Sequence, residues 1–237
     1  MTVIREGKKQ QVKTMFNNIA HRYDFLNHFL SGGIDFIWRK KAIKTLSANN
    51  PKTILDVATG TGDLAIAAIK LNPEKIIGID IAEDMVEIGR TKVRKKNLEQ
   101  VIQLQTGDSE NIQFSDNYFD AAMVAFGVRN FENLEKGLSE MHRILKPGGE
   151  VMILEFSKPI RFPVKQFYNF YFRYILPFIG RLISGDSSAY TYLPDSVSEF
   201  PHGNEFLNIL TKVGFKNPGH RPLTFGIASI YSGWKQE

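Results

Sequence analysis

The sequence predicts an α/β protein: a parallel sheet with helices on both faces, a helical N-terminal cap and a helical insertion after the fifth strand. Three observations carry that expectation. From Lys52 onward, short apolar runs alternate with segments of helical period, the pattern of parallel strands buried on both faces. A glycine loop, DVATGTGD, joins the first such run to its helix. Polar segments (DVATGTGD, IDIAED, GDSEN, FGVRN and EFSKP) follow the apolar runs in turn, at the strand ends where open α/β sheets bind ligands.

Residues 1–50 read as a helical cap, because VKTMFNNIAHRYDFLNHFL mixes apolar residues with Asn, His, Tyr and Asp. Residues 51–157 read as the α/β core. KTILDVA is the first strand, DLAIAAIKL a helix and KIIGID the second strand. EDMVEIGRTKVRKK is a helix, VIQLQT the third strand and YFDAAMVA the fourth. In NLEKGLSEMHRIL, Leu134, Leu138, Met141 and Leu145 recur at helical spacing. KPGG is a stop and turn signal before the fifth strand, GEVMILEF. Residues 158–200 break this rhythm and read as an insertion. Residues 201–237 complete the core: NEFLNILTKVGF is a helix ending at Gly214, and LTFGIASIYSG a closing strand or hairpin.

The chain has 237 residues, a formal charge of +5 and no cysteine. Disulfides, thiolate metal sites and cysteine nucleophiles are therefore excluded, and a reducing, cytoplasmic setting fits. MTVIREGKKQ lacks the apolar core of a signal peptide, and no apolar run is long enough to cross a bilayer. The basic RTKVRKKN suits the exposed C-terminal end of a helix; it reads as a solvated face, and no nucleic-acid partner is expected. His21 and His28 could share a helix face, but two histidines are too few for a metal site, and none is expected.

Within the loop, Gly60 and Gly62 permit a tight turn and close backbone approach to a ligand. The residue three after Gly62 is Ala65, which a dinucleotide fingerprint tolerates, so the loop alone does not separate a nicotinamide cofactor from an S-adenosyl ligand. Asp56, just before the loop, would be awkward beside a pyrophosphate but useful near the cationic amino-acid part of S-adenosylmethionine. Asp80, followed by Ile81, can accept hydrogen bonds from ribose hydroxyls. Asp108, with Ser109, could hold an adenine amino group or serve only as a turn residue.

MFNNIAHRYDFLNHFLSGGIDFIWR, ILDVATGTGDLA, FGVRNFEN, RILKPGGEVMILEFSKP, YTYLPDSVSEFP and LTFGIASIYSGWK together resemble the class I S-adenosylmethionine-dependent methyltransferases. Within them the chain resembles the ubiquinone/menaquinone biosynthesis C-methyltransferases, from about Val12 to Lys235. The resemblance implies a Rossmann-like fold with a mostly parallel seven-stranded sheet, and S-adenosylmethionine as cofactor. It places Gly60, Thr61 and Gly62 in the cofactor loop, with Thr61 at the methionine moiety. Asp80 and Ile81 fall at the ribose, and Asp108 and Ser109 at the adenine. Ala125 stands where the family often has serine or asparagine. Asp35 and Tyr231 stand where histidine is frequent, so neither position can be assumed to supply a histidine base.

The implied reaction is methylation of a ring carbon of demethylmenaquinol, a quinol bearing an isoprenoid tail. A ubiquinone-type precursor, or another small aromatic or lipid methylated on oxygen or nitrogen, is the near alternative. A nonenzymatic nucleoside- or RNA-binding module and an NAD-dependent oxidoreductase are the distant ones. Arg129 stays protonated and could stabilise a phenolate-like oxygen or form a structural ion pair. Asn130 could orient a ring oxygen or cap the following helix. Tyr23 is a substrate-side candidate and Asp24 a candidate proton acceptor. Glu155 is a partner for Arg129, and Tyr192 and Asp195 are candidate pocket walls. The insertion carries Phe162, Phe167, Tyr168, Phe170, Tyr171, Phe172, Tyr174 and Phe178, interrupted by Lys165, Arg173 and Arg181. It is expected to pack as a helical cover, to form a greasy channel or membrane-facing edge for the tail, or to join a homodimer.

Overall fold

The structure, a computed structural model, describes residues 7–175 and 188–236. Seven strands form one sheet in the order β3-β2-β1-β4-β5-β7-β6. They are β1 (Thr53–Val57), β2 (Lys75–Asp80), β3 (Ile102–Thr106), β4 (Phe119–Ala125), β5 (Leu145–Phe156), β6 (Lys216–Leu223) and β7 (Ala228–Trp234). The first five run parallel; β7 is antiparallel to β5, and β6 to β7. Order reverses at β1, where β2 lies on one side and β4 on the other, and such a switch point opens a crevice at the strand ends.

Strand alternation builds two cores. Ile54, Ile76, Met123, Met152 and Leu154 face one side, whereas Leu55, Val57, Ile77, Val124 and Ile153 face the other. The first face is covered by α2 (Ile34–Leu46), α3 (Asp63–Ala68) and α4 (Glu83–Lys95). The second is covered by α5 (Leu134–Ile144), whose Leu138 and Met141 are fully buried, and by a helix near the C-terminus through Phe206 and Leu210. Asn133 starts α5, its side-chain oxygen accepting the Lys136 amide at 3.0 Å.

The long helix α1 (Lys8–Leu30) lies across the strand ends and packs on α4. After β5 come α6 (Val164–Phe170), a π-helical turn over Tyr171–Ile175, and α7 (Ser188–Glu199), then α8 (Asn204–Val213). Phe178 and Arg181 lie outside the described residues. As expected, α8 ends at Gly214, here with φ 119°.

Two elements differ from the sequence reading. KPGG does not precede the fifth strand but lies within it: pairing jumps from Phe119↔Leu145 to Ala121↔Glu150, so the extra residues form a bulge. KNPGHRPL, with two prolines, is the edge strand β6, and proline is tolerated there because one side of an edge strand needs no donors. The closing element is thus a hairpin, turned by Thr224–Gly226.

Candidate active site

Two cavities meet beneath α1. The first sits at the ends of β1–β4 and is lined by Gly60, Asp80, Ile81, Asp108, Ser109 and Ala125, with Lys9, Val12, Phe16 and Tyr23 reaching in from α1. Asp80 anchors the glycine loop: its carboxylate accepts the Gly60 and Ala82 amides, each at 2.8 Å. Burial pushes the Asp80 carboxyl up, opposed by those amides. Asp108 receives the Lys9 ammonium at 2.9 Å and the Glu110 amide at 2.9 Å. Burial acts to raise its pKa, but the Lys9 bond and charge and the Glu110 amide outweigh it and hold the carboxyl below its ordinary value.

The cavity floor is made by backbone held in the left-handed region. Ala58 has φ 51° and Phe126 φ 60°, and such strain in non-glycine residues clusters at functional sites. Next to Phe126, a Cβ on Gly127 would lie 2.6 Å from the Ala58 Cβ, so only glycine lets the ends of β1 and β4 meet so closely.

The second cavity is wider, about 410 Å³, and mostly aromatic. Trp38, Phe156, Tyr168, Tyr171 and Tyr192 line it together with Arg39 and Arg129. Phe16, Tyr23 and Phe126 line both cavities and are therefore the wall between them. Tyr23 is the polar member of that wall; burial raises its phenol pKa, opposed by Arg129, a hydrogen bond with Asn27, and Arg39.

Arg129 is held from three sides. Its Nη1 donates to Glu155 at 2.8 Å and also to the Phe126 carbonyl, and its Nε donates to the Ser196 hydroxyl at 3.3 Å. Glu155 is wholly buried, and burial pushes its carboxyl up despite the Arg129 charge. Tyr192 donates to the Asn130 side-chain oxygen at 3.1 Å. Because Asn130 lines the first cavity and Tyr192 the second, that bond ties α7 to both.

With this geometry in place, the comparisons are decisive. The ubiE/COQ5 methyltransferase family matches residues 1–235. The chain belongs to that family. It is 51% identical over 232 residues to the demethylmenaquinone methyltransferase of Bacteroides fragilis, covering 97% of this chain and 95% of the relative. It is 48% identical over 230 residues to the ubiquinone/menaquinone biosynthesis C-methyltransferase UbiE of Geotalea daltonii, covering 96% and 97%. The fold is shared with the [4+2]-cyclase SpnF, at a TM-score of 0.71 and 16% identity over 97% of each chain. It is also shared with an S-adenosylmethionine-dependent methyltransferase from Thermotoga maritima, at 0.64 and 19% over 94% and 99%. The protein is thus a methyltransferase of the ubiE/COQ5 family with the class I Rossmann-like architecture.

Several residues expected at the site stand elsewhere. Asp56 is fully buried behind the loop, accepting the Thr59 hydroxyl at 2.6 Å; burial pushes it to about 7, against that bond. It shapes the loop rather than lining the cavity. Thr61 points away from the cavity and donates to Asp24, and Lys92 meets Asp24 at 2.8 Å and Thr61 at 3.1 Å. Asp24 is therefore spent on an ion pair that fastens α1 to α4, and it lines neither cavity. Gly62 caps α3 with φ 82°, and a Cβ there would lie 3.0 Å from Leu104; its role is packing. Asn130 does not cap α5, because Asn133 does. Tyr231 is buried in the second core, its hydroxyl accepting the Gly203 amide at 2.9 Å, and Asp195 is exposed.

Sequence reasoning missed Lys9, Val12, Phe16, Arg39 and Phe156. A signal existed for Val12 and Phe16: with Ile19 and Tyr23 they fall at spacings of four, three and four in α1, one apolar face. That spacing does not say what the face covers.

Proposed function

We propose that this protein transfers a methyl group from S-adenosylmethionine to a ring carbon of demethylmenaquinol, giving menaquinol and S-adenosylhomocysteine. The observation that carries the reading is the shared wall: a narrow cavity lined by Asp80 and Asp108 is divided from a wide aromatic cavity by Phe16, Tyr23 and Phe126. The names of the relatives support the choice of substrate.

The residues present fit the donor. Asp80 has lone pairs beyond its two amide bonds for the ribose hydroxyls, Asp108 and Ser109 stand together at the far end, and Ile81, Met85 and Phe131 offer an apolar slot. When bound, the donor supplies an electrophilic methyl on a sulfonium. The chain aligns the ring with that methyl at the wall and keeps water out with α1, which is the main work in a transfer needing no further activation of the electrophile. Arg129, charged and shielded, stabilises negative charge on a ring oxygen as electron density moves to the attacking carbon. The new carbon–methyl bond forms as the sulfur–methyl bond breaks, and the carbon then loses its hydrogen as a proton.

The tail leaves the second cavity toward residues 158–175. There Ile160, Phe162, Phe167 and Phe225 are 71–81% exposed beside exposed Arg161 and Lys165. Aromatic and basic side chains together suit the interface of an anionic bilayer, so the protein works at the inner face of the cell membrane. Among the described residues no helix is long and apolar enough to cross one.

The test is turnover of methyl-labelled S-adenosylmethionine with chemically reduced demethylmenaquinone. Label is expected on ring carbon. Label on oxygen, or none under reducing conditions while a demethoxyubiquinol-type ring is methylated, would replace this substrate with another.

A further inference from the structure

Arg39 is the second buried guanidinium in the aromatic cavity, and nothing in the mechanism above uses it. It lies on α2, its side chain only 10% exposed, and it lines the same cavity as Arg129. The two arginines are arranged alike. Arg39 sits over the Phe126 ring at 5.7 Å and Arg129 over the Phe156 ring at 5.4 Å, and the two rings are 4.5 Å apart. Both are paired with acids: Arg39 with Asp35, and more distantly Asp63, and Arg129 with Glu155.

The environments of the two differ in how fully the guanidinium is hydrogen-bonded. Asp35 is itself fixed by the Ser31 hydroxyl at 2.8 Å and His28 Nδ1 at 2.8 Å. The other acid near Arg39, Asp63, lies 3.9 Å from Nη2, beyond hydrogen-bond distance. Arg39 Nε is buried with no hydrogen-bond partner. A buried charged donor left unpaired costs stability, and a ligand that reaches it would recover that cost. The Tyr23 phenol, an aromatic hydroxyl inside the cavity, feels both guanidiniums, each favouring its anion. An aromatic hydroxyl brought in by a substrate would feel the same pair.

We propose that Arg39 is a substrate-specificity residue that recognises the second oxygen of a 1,4-dihydroxy aromatic ring, while Arg129 faces the first. This rests on the quinol reading and sharpens it: the site selects para-diols over mono-ols. An ionised Asp35 cancels the Arg39 charge locally, so selection comes from directed N–H donation rather than from net charge. Lysine, with a point charge and no planar fork, would not replace it.

The experiment compares a short-tailed 1,4-naphthohydroquinone with its two monohydroxy regioisomers as methyl acceptors, using the full-length protein. Wild type should prefer the diol over each mono-ol by about tenfold or more in kcat/KM, since a site built to bond a hydroxyl rejects analogues lacking it. In Arg39→Met and Arg39→Lys the preference against one regioisomer should collapse, while that against the other and the affinity for S-adenosylhomocysteine stay as in wild type. A purely structural Arg39 would lower all three acceptors alike. No transfer by wild type to the diol would overturn the quinol reading itself, and this inference with it. Transfer without discrimination by wild type, or unchanged ratios in both variants, would overturn the role of Arg39 alone. If neither variant folds, wild-type transfer without discrimination still overturns the role of Arg39.

Discussion

The Arg129 guanidinium meets the Glu155 carboxylate at 2.8 Å, with the acid wholly cut off from solvent at the end of β5 and the base on the wall of the aromatic cavity. One pair therefore serves two ends: it fixes the turn after β4 to β5, and it holds a cation at the lining of the aromatic cavity. A turn over Val128–Asn130 presents the arginine, and only the depth of β5 supplies its partner.

Arg129→Met should lower kcat/KM by about a hundredfold or more, the scale of losing one stabilising donor at a reacting oxygen. Affinity for S-adenosylhomocysteine should change far less, because Arg129 lines the second cavity and not the first. Single-turnover rates set beside calorimetric titration separate the two. Equal losses in both would make the arginine structural. Glu155→Gln, which leaves the guanidinium without its carboxylate, should destabilise the fold by about 3–5 kcal/mol in denaturant titration.

Asp80→Asn should weaken binding of S-adenosylhomocysteine by about tenfold or more, since the side chain loses charged acceptors both for the loop amide of Gly60 and for the ribose. Titration calorimetry measures it. Affinity equal to wild type would remove Asp80 from the nucleoside contacts.

Asp24→Asn tests the opposite expectation. Its carboxylate is paired with Lys92, outside both cavities, so the acid limb of the kcat/KM pH profile should persist. Stability should fall by no more than about 1 kcal/mol, as befits a partly exposed pair. Loss of that limb would restore Asp24 as the proton acceptor.

Two buried acids away from the cavities contribute to the pH response of stability. Burial pushes Asp56 to about 7, opposed by the Thr59 hydroxyl, and Glu150 to about 7, opposed by a hydrogen bond from Asn49. Unfolded, such groups titrate near 4. These two groups thus hold more protons in the folded state between those values, and their contribution to stability declines as pH rises from about 4 to about 7. Glu150→Gln keeps an oxygen for Asn49 and cannot ionise. It should be more stable than wild type at pH 8, equal to it near pH 4, and unaltered in activity, because Glu150 lines neither cavity. Thermal melts across pH read this directly, and parallel wild-type and variant curves would refute it.

Flotation with anionic vesicles should carry the protein upward. Phe162→Ser combined with Phe225→Ser should abolish most of that association, because two side chains 80–81% exposed would no longer enter the interface. Methylation of a short-tailed, water-soluble quinol should stay at the wild-type level. Flotation unchanged in the double variant would place the contact elsewhere.

The parallel strands β1 to β4, the glycine loop and the acids Asp80 and Asp108 are legible in the chain alone, because strand and helix periods and residues next to strand ends are local properties, whereas the bulge in β5 and the edge strand β6 depend on pairing partners. It also placed Arg129 at the ligand edge, since FGVRN follows an apolar strand directly. Tertiary structure alone decided which polar residues of the cap and loop reach the site. Asp24 and Tyr23 are neighbours on α1, yet they project at different angles around the helix: Asp24 meets Lys92 of α4, and Tyr23 enters the wall. Likewise Thr61 and Gly60 are adjacent, but the left-handed turn points Gly60 to the cavity and Thr61 to Asp24. Whether a side chain touches ligand or protein depends on how α1 and α2 dock across the strand ends, and that docking is set by contacts such as Trp38 with Thr224, 186 positions apart in the chain. No local pattern encodes such a pairing, which is why Arg39 emerged only in three dimensions.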